Sequence, residues 1–260
     1  MTTPPTAVVT GATSGIGRAL AGELHRRGWE LVLVSRDAER LTAVAEELPG
    51  RRRPTEVLLA DLSSEDGLAV VERRLRENPP VGLLVNAAGC GTTFPWPDGD
   101  LADEETMLAL NVVATMRLSH AMVARAREAG SGGVLNVGST AGIWSTGTYA
   151  ASKAWVLAAS RGLADAVRSE GVRVTVVVPG VTRSEFHARS GTDASGVRSW
   201  LWLTPERVAR EALDAWEAGR SVVVPGRQYR VLVPLARALP DGTRARLLRA
   251  LGPLRPAVNR

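Results

Sequence analysis

Two hundred and sixty residues, 45% hydrophobic and 23% charged with a mean hydropathy of −0.01, are enough for one sizeable core and exclude a disordered, collagen-like or coiled-coil chain. The formal net charge of +5 is uneven: residues 220–260 hold nine arginines against the single acid Asp241, a net of +8, and residues 1–219 hold 23 bases against 26 acids, a net of −3. The basic balance thus belongs to the C-terminal stretch, which argues against a nucleic-acid-binding core.

No window approaches eighteen uninterrupted apolar residues, and the opening MTTPPTAVVT lacks the basic-then-apolar layout of a leader. The expectation is a soluble, unsecreted, cytoplasmic protein. Cys90 is the single cysteine and has no partner for an internal disulfide, while His25, His120 and His187 are scattered, so no metal site is expected.

Short apolar runs alternate with helical periodicity along the chain. The first run, AVVT at 7–10, leads into Thr10-Gly11-Ala12-Thr13-Ser14-Gly15-Ile16-Gly17 and the helical stretch RALAGELHRRG. Glycines there let the backbone turn tightly and approach a pyrophosphate, whose charge meets the amides of the helix N-terminus. The second run, LVLV at 31–34, ends at Ser35-Arg36, where the adenosine ribose of a dinucleotide would lie. An acid at this place would bind a 2′-hydroxyl, whereas arginine grips a 2′-phosphate, so Arg36 favours NADP over NAD. The competing reading is a solvated loop arginine paired with Asp37.

Further runs follow at 56–60 (EVLLA), 82–85 (GLLV) and 133–137 (GVLNV). Next comes TYAASKAWVLAAS, in which Tyr149 and Lys153 stand four apart on one helix face. An ammonium beside a phenol favours the phenolate, and such a pair can exchange a proton with an alcohol or carbonyl oxygen. An ordinary surface pair is the competing reading, weakened because Lys153 is the only lysine among 32 basic residues and Tyr149 is one of two tyrosines. The sixth run, VRVTVVV at 172–178, precedes a segment, 181–204, that fits neither strand nor helix before Thr204-Pro205 opens a helix as N-cap and first-turn proline. SVVV at 221–224 is the seventh run.

Strands apolar on both faces, separated by helices that stop at Gly28, Pro49-Gly50, Gly130 and Gly171, predict a doubly wound α/β Rossmann fold with a seven-stranded, mostly parallel sheet. One domain over 1–226 is expected, including segment 181–204, with 227–260 a basic tail or helix. That tail alternates leucine and arginine at helical spacing. It is suited either to an anionic membrane surface or to packing on its own subunit or a partner.

With these residues assembled, the chain resembles the short-chain dehydrogenase/reductase family over roughly residues 5–225. The glycine pattern, Asp61-Leu62, Asn86-Ala87-Ala88-Gly89, Asn111, Ser139, Tyr149-x-x-x-Lys153 and Pro179-Gly180 arrive in the family's order. The resemblance implies that Asp61 and the Leu62 backbone meet the adenine, that Asn86, Ala87, Ala88 and Gly89 line the cofactor through backbone groups, and that Lys153 holds the nicotinamide ribose while lowering the Tyr149 pKa. It implies Tyr149 as the acid that protonates the substrate oxygen, Ser139 bonded to that oxygen, and Asn111 supporting a proton-relaying water. Gly11, Thr13, Ser14, Gly15, Ile16 and Gly17 would receive the pyrophosphate, and Pro179, Gly180, Thr182 and Ser184 would face the nicotinamide. The activity implied is interconversion of a small-molecule carbonyl and an alcohol with NADP(H), NAD being disfavoured, by a homodimer or homotetramer. A catalytically inactive, cofactor-binding regulatory or scaffold protein is the alternative, opposed by the intact Ser139, Tyr149 and Lys153.

Three positions depart from the family pattern. Ala87 replaces a second asparagine. Ser14 stands where some NADP-using members carry a base, leaving Arg36 to carry the cofactor assignment with Arg18 a distant helper. Ser139 and Tyr149 are only ten residues apart, so the loop that shapes one wall of the substrate pocket is shortened. Either the pocket is more open or the two residues sit differently, with Thr140 and Ser145 ranked below Ser139 as substitutes. The substrate wall is expected from Phe186, His187, Trp200, Leu201, Trp202 and Leu203, as an apolar lid or as plain core packing. His187 is read as a loop residue rather than a further base, and Cys90 as a packing residue rather than a nucleophile.

Overall fold

Each of the seven apolar runs forms a strand in the computed structural model, which describes residues 5–50, 53–92, 98–144, 147–240, 242–243, 246 and 255–256. The strands are β1 (Thr6–Thr10), β2 (Glu30–Ser35), β3 (Glu56–Leu59), β4 (Val81–Asn86), β5 (Gly132–Val137), β6 (Val172–Val177) and β8 (Val222–Val223). They pair in parallel in the order β3-β2-β1-β4-β5-β6-β8. The order reverses between β1 and β4, and in such sheets ligands bind in the crevice at the carboxyl ends beside that switch point.

Two layers of helix cover the sheet. On one face α1 (Gly15–Arg26), α2 (Ala38–Glu47) and α9 (Pro205–Glu217) bury Leu20, Leu24, Leu41 and Leu213 against Leu33, Leu83 and Leu135. On the other, α3 (Glu65–Arg76), α5 (Thr115–Ala129) and α7 (Thr148–Ala166) bury Leu75, Leu118 and Met122 against Val32, Leu84 and Val134. The expectation of strands apolar on both faces fails at β3, an edge strand whose residues alternate between half-buried and exposed because only one neighbour pairs with it.

α4 (Leu101–Leu108) runs through a π-helical stretch, Ala109–Ala114, directly into α5. The whole run Leu101–Ala129 is long and apolar enough by composition to cross a membrane, yet half of its most apolar window is buried inside the fold, with Met107, Leu118 and Met122 fully enclosed. It is the covering helix of the sheet. Gly130 takes a left-handed conformation (φ +65°) as the C-cap of α5, and the Thr204 hydroxyl accepts from Arg207 N at 3.3 Å with Pro205 in the first turn of α9, both as the sequence predicts.

Segment 181–204 is more ordered than its sequence advertises. It holds α8 (Phe186–Arg189), β7 (Thr192–Asp193) and a 3-10 turn at Ser199–Leu201, and β7 pairs antiparallel with β9 (Arg255–Pro256) from the C-terminal stretch. The basic stretch set apart from 227 onward begins as α10 (Arg227–Ala238), joined to the domain through buried Tyr229, Val233 and Ala236. Tyr229 is the peg. Its hydroxyl donates to Leu201 O at 2.9 Å and accepts from Val181 N at 3.0 Å, gripping segment 181–204 at two points, and a Cβ at Gly180 would run into its ring. Both gripped groups are backbone and far away in sequence, so the scarcity of tyrosine is the only sequence sign of this role.

Candidate active site

The turn after β1 is built around backbone approaches that a side chain would obstruct. A Cβ on Gly11 (φ +64°) would lie 2.8 Å from Ala88 N and Cα, and one on Gly17 would press into the Gly11 carbonyl. Gly15 (φ +52°) opens α1 beneath Ser184, whose Cβ would be 3.0 Å from an added Cβ. Thr10, quoted in the motif but given no role by sequence reasoning, ties the turn to β4: its hydroxyl donates to Val85 O at 3.2 Å and accepts from Ala87 N at 3.0 Å and Ala88 N at 3.1 Å. Thr13 sits in the same turn, Ser14 is in extended backbone as the N-cap of α1, and Ile16 is in the first turn of that helix. The result is a cradle at a helix N-terminus that fits a pyrophosphate.

Arg36 follows β2 directly and is exposed. Among the described residues no ion pair joins it to Asp37, whose carboxylate caps α2 by accepting from Arg40 N at 3.0 Å, so Arg36 stands solvated at the end of β2. Asp61 Oδ1 accepts from the hydroxyl of Ser63 at 2.7 Å and from its amide at 3.0 Å. These bonds hold its carboxyl below the usual range, and the nearby charge of Arg36 adds to the effect. Leu62 beside it is buried.

Asn86 points away from the cleft. Its side-chain amide donates to Ser119 Oγ at 3.1 Å and Asn136 Oδ1 at 2.9 Å, and Asn136 Nδ2 donates to Ser160 Oγ at 2.9 Å. This buried chain of polar groups pins α5 and α7 to β4 and β5, leaving only the Asn86 backbone for a ligand. Asn111 lies in the π-helical stretch, where its side chain bridges Cys90 O at 2.9 Å, Cys90 N at 3.1 Å and Ser152 Oγ at 3.2 Å. A Cβ on Gly89 would lie 2.9 Å from Asn111 Oδ1 and 3.3 Å from Lys153 Nζ, so the β4 turn, Asn111 and Lys153 meet at one place.

Ser139, Tyr149 and Lys153 converge despite the short connection. α6 (Ala141–Trp144) turns immediately after Ser139, whose hydroxyl accepts from Ala141 N at 3.1 Å and also engages the Tyr149 phenol. Thr140 is buried and donates its backbone N–H to Pro179 O at 2.9 Å, while Ser145 lies outside the described residues. Lys153 Nζ sits 5.9 Å from the Tyr149 ring centroid and donates to Val137 O at 3.2 Å.

The electrostatics run opposite to the sequence expectation. Burial pushes the Tyr149 phenol up to about 12, against the Ser139 hydrogen bond that favours the phenolate, and burial pulls the Lys153 ammonium down to about 8. Charge proximity is visible in an i,i+4 spacing, whereas loss of water is not. At neutral pH the pair is therefore a protonated phenol beside an ammonium. Burial likewise raises the Cys90 thiol, with Lys153 opposing, in keeping with a packing residue.

The residues expected at the substrate wall separate. Phe186 lies 5.4 Å from the Tyr149 ring, followed by His187 at 5.7 Å from Phe186 and 5.6 Å from Trp202. Leu201 and Leu203 belong to the core, and Trp200 faces outward. Burial lowers the His187 pKa, and its Nδ1 has no hydrogen-bond partner among the described residues, so it is a neutral ring in an aromatic row. Thr182 Oγ1 donates to Gly180 O at 3.0 Å, placing that hydroxyl against its own loop beside Pro179. Arg40 grips Glu185 through two bonds of 2.6 and 3.0 Å, tying α2 to the start of segment 181–204, a contact between positions too distant in sequence to foresee. Among the described residues no cluster could hold a metal ion.

The family described as short chain dehydrogenase matches residues 5–195. The chain belongs to that family. This short-chain dehydrogenase is 40% identical over 193 residues to sulfoacetaldehyde reductase 2 of Chromohalobacter salexigens, covering 72% of this chain and 76% of the relative. It is 35% identical over 216 residues to a very-long-chain 3-oxoacyl-CoA reductase of Anas platyrhynchos, covering 80% and 67%. Among solved structures it is similar to a short-chain dehydrogenase from Sphingobium yanoikuyae in complex with NADPH, with a TM-score of 0.81, 34% identity and coverage of 94% and 95%.

Proposed function

We propose that this short-chain dehydrogenase is an NADP(H)-dependent oxidoreductase that interconverts a carbonyl and an alcohol with Tyr149 as acid and base. The convergence of Ser139, Tyr149 and Lys153 beside the glycine cradle carries the reading. The reductase names of its relatives and the NADPH complex of a solved neighbour support it.

Gly11, Gly15 and Gly17 leave room for the pyrophosphate at the start of α1, Arg36 grips the 2′-phosphate, and Asp61 with the Leu62 backbone borders the adenine. The backbone of residues 86–89, with Pro179, Gly180, Thr182 and Ser184, lines the path to the nicotinamide. When bound, NADP(H) supplies or accepts the hydride. Tyr149, protonated at neutral pH, gives its proton to the substrate oxygen as the carbonyl is reduced, and Ser139 hydrogen-bonds the same oxygen. Lys153, an ammonium below a pH of about 8, stabilises the phenolate left behind and holds the ribose hydroxyls. Asn111, fixed by Cys90 and Ser152, keeps the π-helical backbone in place next to Lys153 for a proton-relaying water. Phe186 walls the substrate side of Tyr149, which favours a small carbonyl compound with an apolar flank.

Titration with NADPH and NADH on wild type and Arg36→Ala tests the cofactor half. A charged hydrogen bond of about 1.5–3 kcal/mol predicts that Arg36→Ala weakens NADPH by roughly ten- to a hundredfold while leaving NADH nearly unchanged. Equal weakening of both nucleotides would remove Arg36 from the 2′-phosphate.

A further inference from the structure

We propose that the outer face of α10 docks on an anionic phospholipid membrane surface. The helix is apolar on two opposite sides. Tyr229, Val233 and Ala236 bind it to the domain, and on the far side Val231, Pro234, Leu235 and Ala238 follow one another at i, i+3, i+4 and i+7, all exposed. Val231 is 67% and Leu235 49% exposed, among the largest exposures of any bulky apolar residue in the described chain. A helix stabilised only by its own subunit has no use for this second stripe, since solvation of bulky aliphatic groups is unfavourable.

Two further observations select the occupant. Trp200, 49% exposed, stands beside the first turn of α10, where its carbonyl accepts from Gln228 Nε2 at 3.2 Å; a tryptophan at the edge of an apolar stripe suits the headgroup boundary. Charge is the second. Arg227 and Arg237, at the two ends of the stripe, make no ion pair among the described residues, while Arg230 is held by Glu211 at 2.6 Å. The sequence beyond α10 adds Arg244, Arg246, Arg249, Arg255 and Arg260 against Asp241 alone. A second copy of the chain on this face would bring like charges together across an isologous contact, whereas anionic headgroups neutralise them.

Co-sedimentation of the full chain with vesicles tests the proposal, using phosphatidylglycerol mixed into phosphatidylcholine against phosphatidylcholine alone. The wild type is expected to sediment with the anionic vesicles and stay in solution with the neutral ones. Val231→Ser combined with Leu235→Ser should weaken that binding by about tenfold or more, and Arg227→Gln with Arg237→Gln should weaken it as well, with an unchanged unfolding midpoint and NADPH affinity showing that both variants are folded. Equal sedimentation of the serine variant and the wild type would leave the arginines as the sole cause and overturn docking through the stripe. Sedimentation of neither would also overturn it, as would self-association without vesicles that the serine variant abolishes, since the face would then belong to a second copy.

Discussion

Tyr149→Phe should lower kcat for carbonyl reduction by roughly a hundred- to ten-thousandfold, the range a positioned general acid contributes. The phenylalanine keeps the ring that packs 5.4 Å from Phe186 and loses only the phenol that Ser139 engages and Lys153 faces. NADPH affinity should therefore stay close to that of the wild type, because the cradle, Arg36 and the ammonium of Lys153 are untouched. Steady-state kinetics and a binding titration on the same preparation separate the two effects, since an interaction made only in the transition state lowers kcat and kcat/KM together. A variant that retained a tenth or more of the wild-type kcat would assign the proton to another group.

A methyl group in the cradle should be almost as damaging, for a steric reason. Gly17→Ala places a Cβ against the Gly11 carbonyl oxygen, 2.9 Å from the Gly11 carbonyl carbon and 3.3 Å from Ala87 Cβ. Two of these three neighbours are backbone atoms of the turn itself, so α1 has to move off β1, and Leu20, Ala21 and Leu24 on the same helix lose their fit in the core. The expected loss of stability is about 1–3 kcal/mol, typical of overpacking, together with loss of measurable NADPH binding as the turn is displaced. Gly22 supplies the control. It lies in the same helix with open space around its would-be Cβ, so Gly22→Ala should raise stability by about 0.5–1 kcal/mol through helix propensity. Denaturant midpoints for the two variants should move in opposite directions, and a shift of both in the same sense would contradict the packing of the cradle.

Features set by local chemistry are legible in the sequence. Seven apolar runs became seven strands because a parallel sheet buried on both faces leaves no place for polar alternation, and β3 breaks the pattern where its edge is bare. The glycine turn, Thr204-Pro205 and the Gly130 stop are short-range devices and stand where expected. Contacts between residues far apart in the chain were not legible. The Tyr229 peg, the Arg40 grip on Glu185 and the buried chain from Asn86 through Asn136 to Ser160 join positions that no spacing relates. The shortened connection from Ser139 to Tyr149 left open where the two residues sit, and the answer depends on α6 forming directly after Ser139, a four-residue turn too short to read from periodicity. The direction of the Tyr149 pKa was missed for a related reason: sequence reveals the ammonium four residues away but not the depth at which both groups lie.

Transfer of deuterium from NADPH doubly deuterated at nicotinamide C4 tests the central claim most directly. The enzyme would be incubated with a panel of aldehydes and ketones, and the products analysed by mass spectrometry. The predicted result is an alcohol carrying a single deuterium on its carbinol carbon, formed by the wild type and absent with Tyr149→Phe. Consumption of NADPH without label in the alcohol, or tight binding of NADPH with no carbonyl in the panel reduced, would contradict a carbonyl reductase acting through Tyr149.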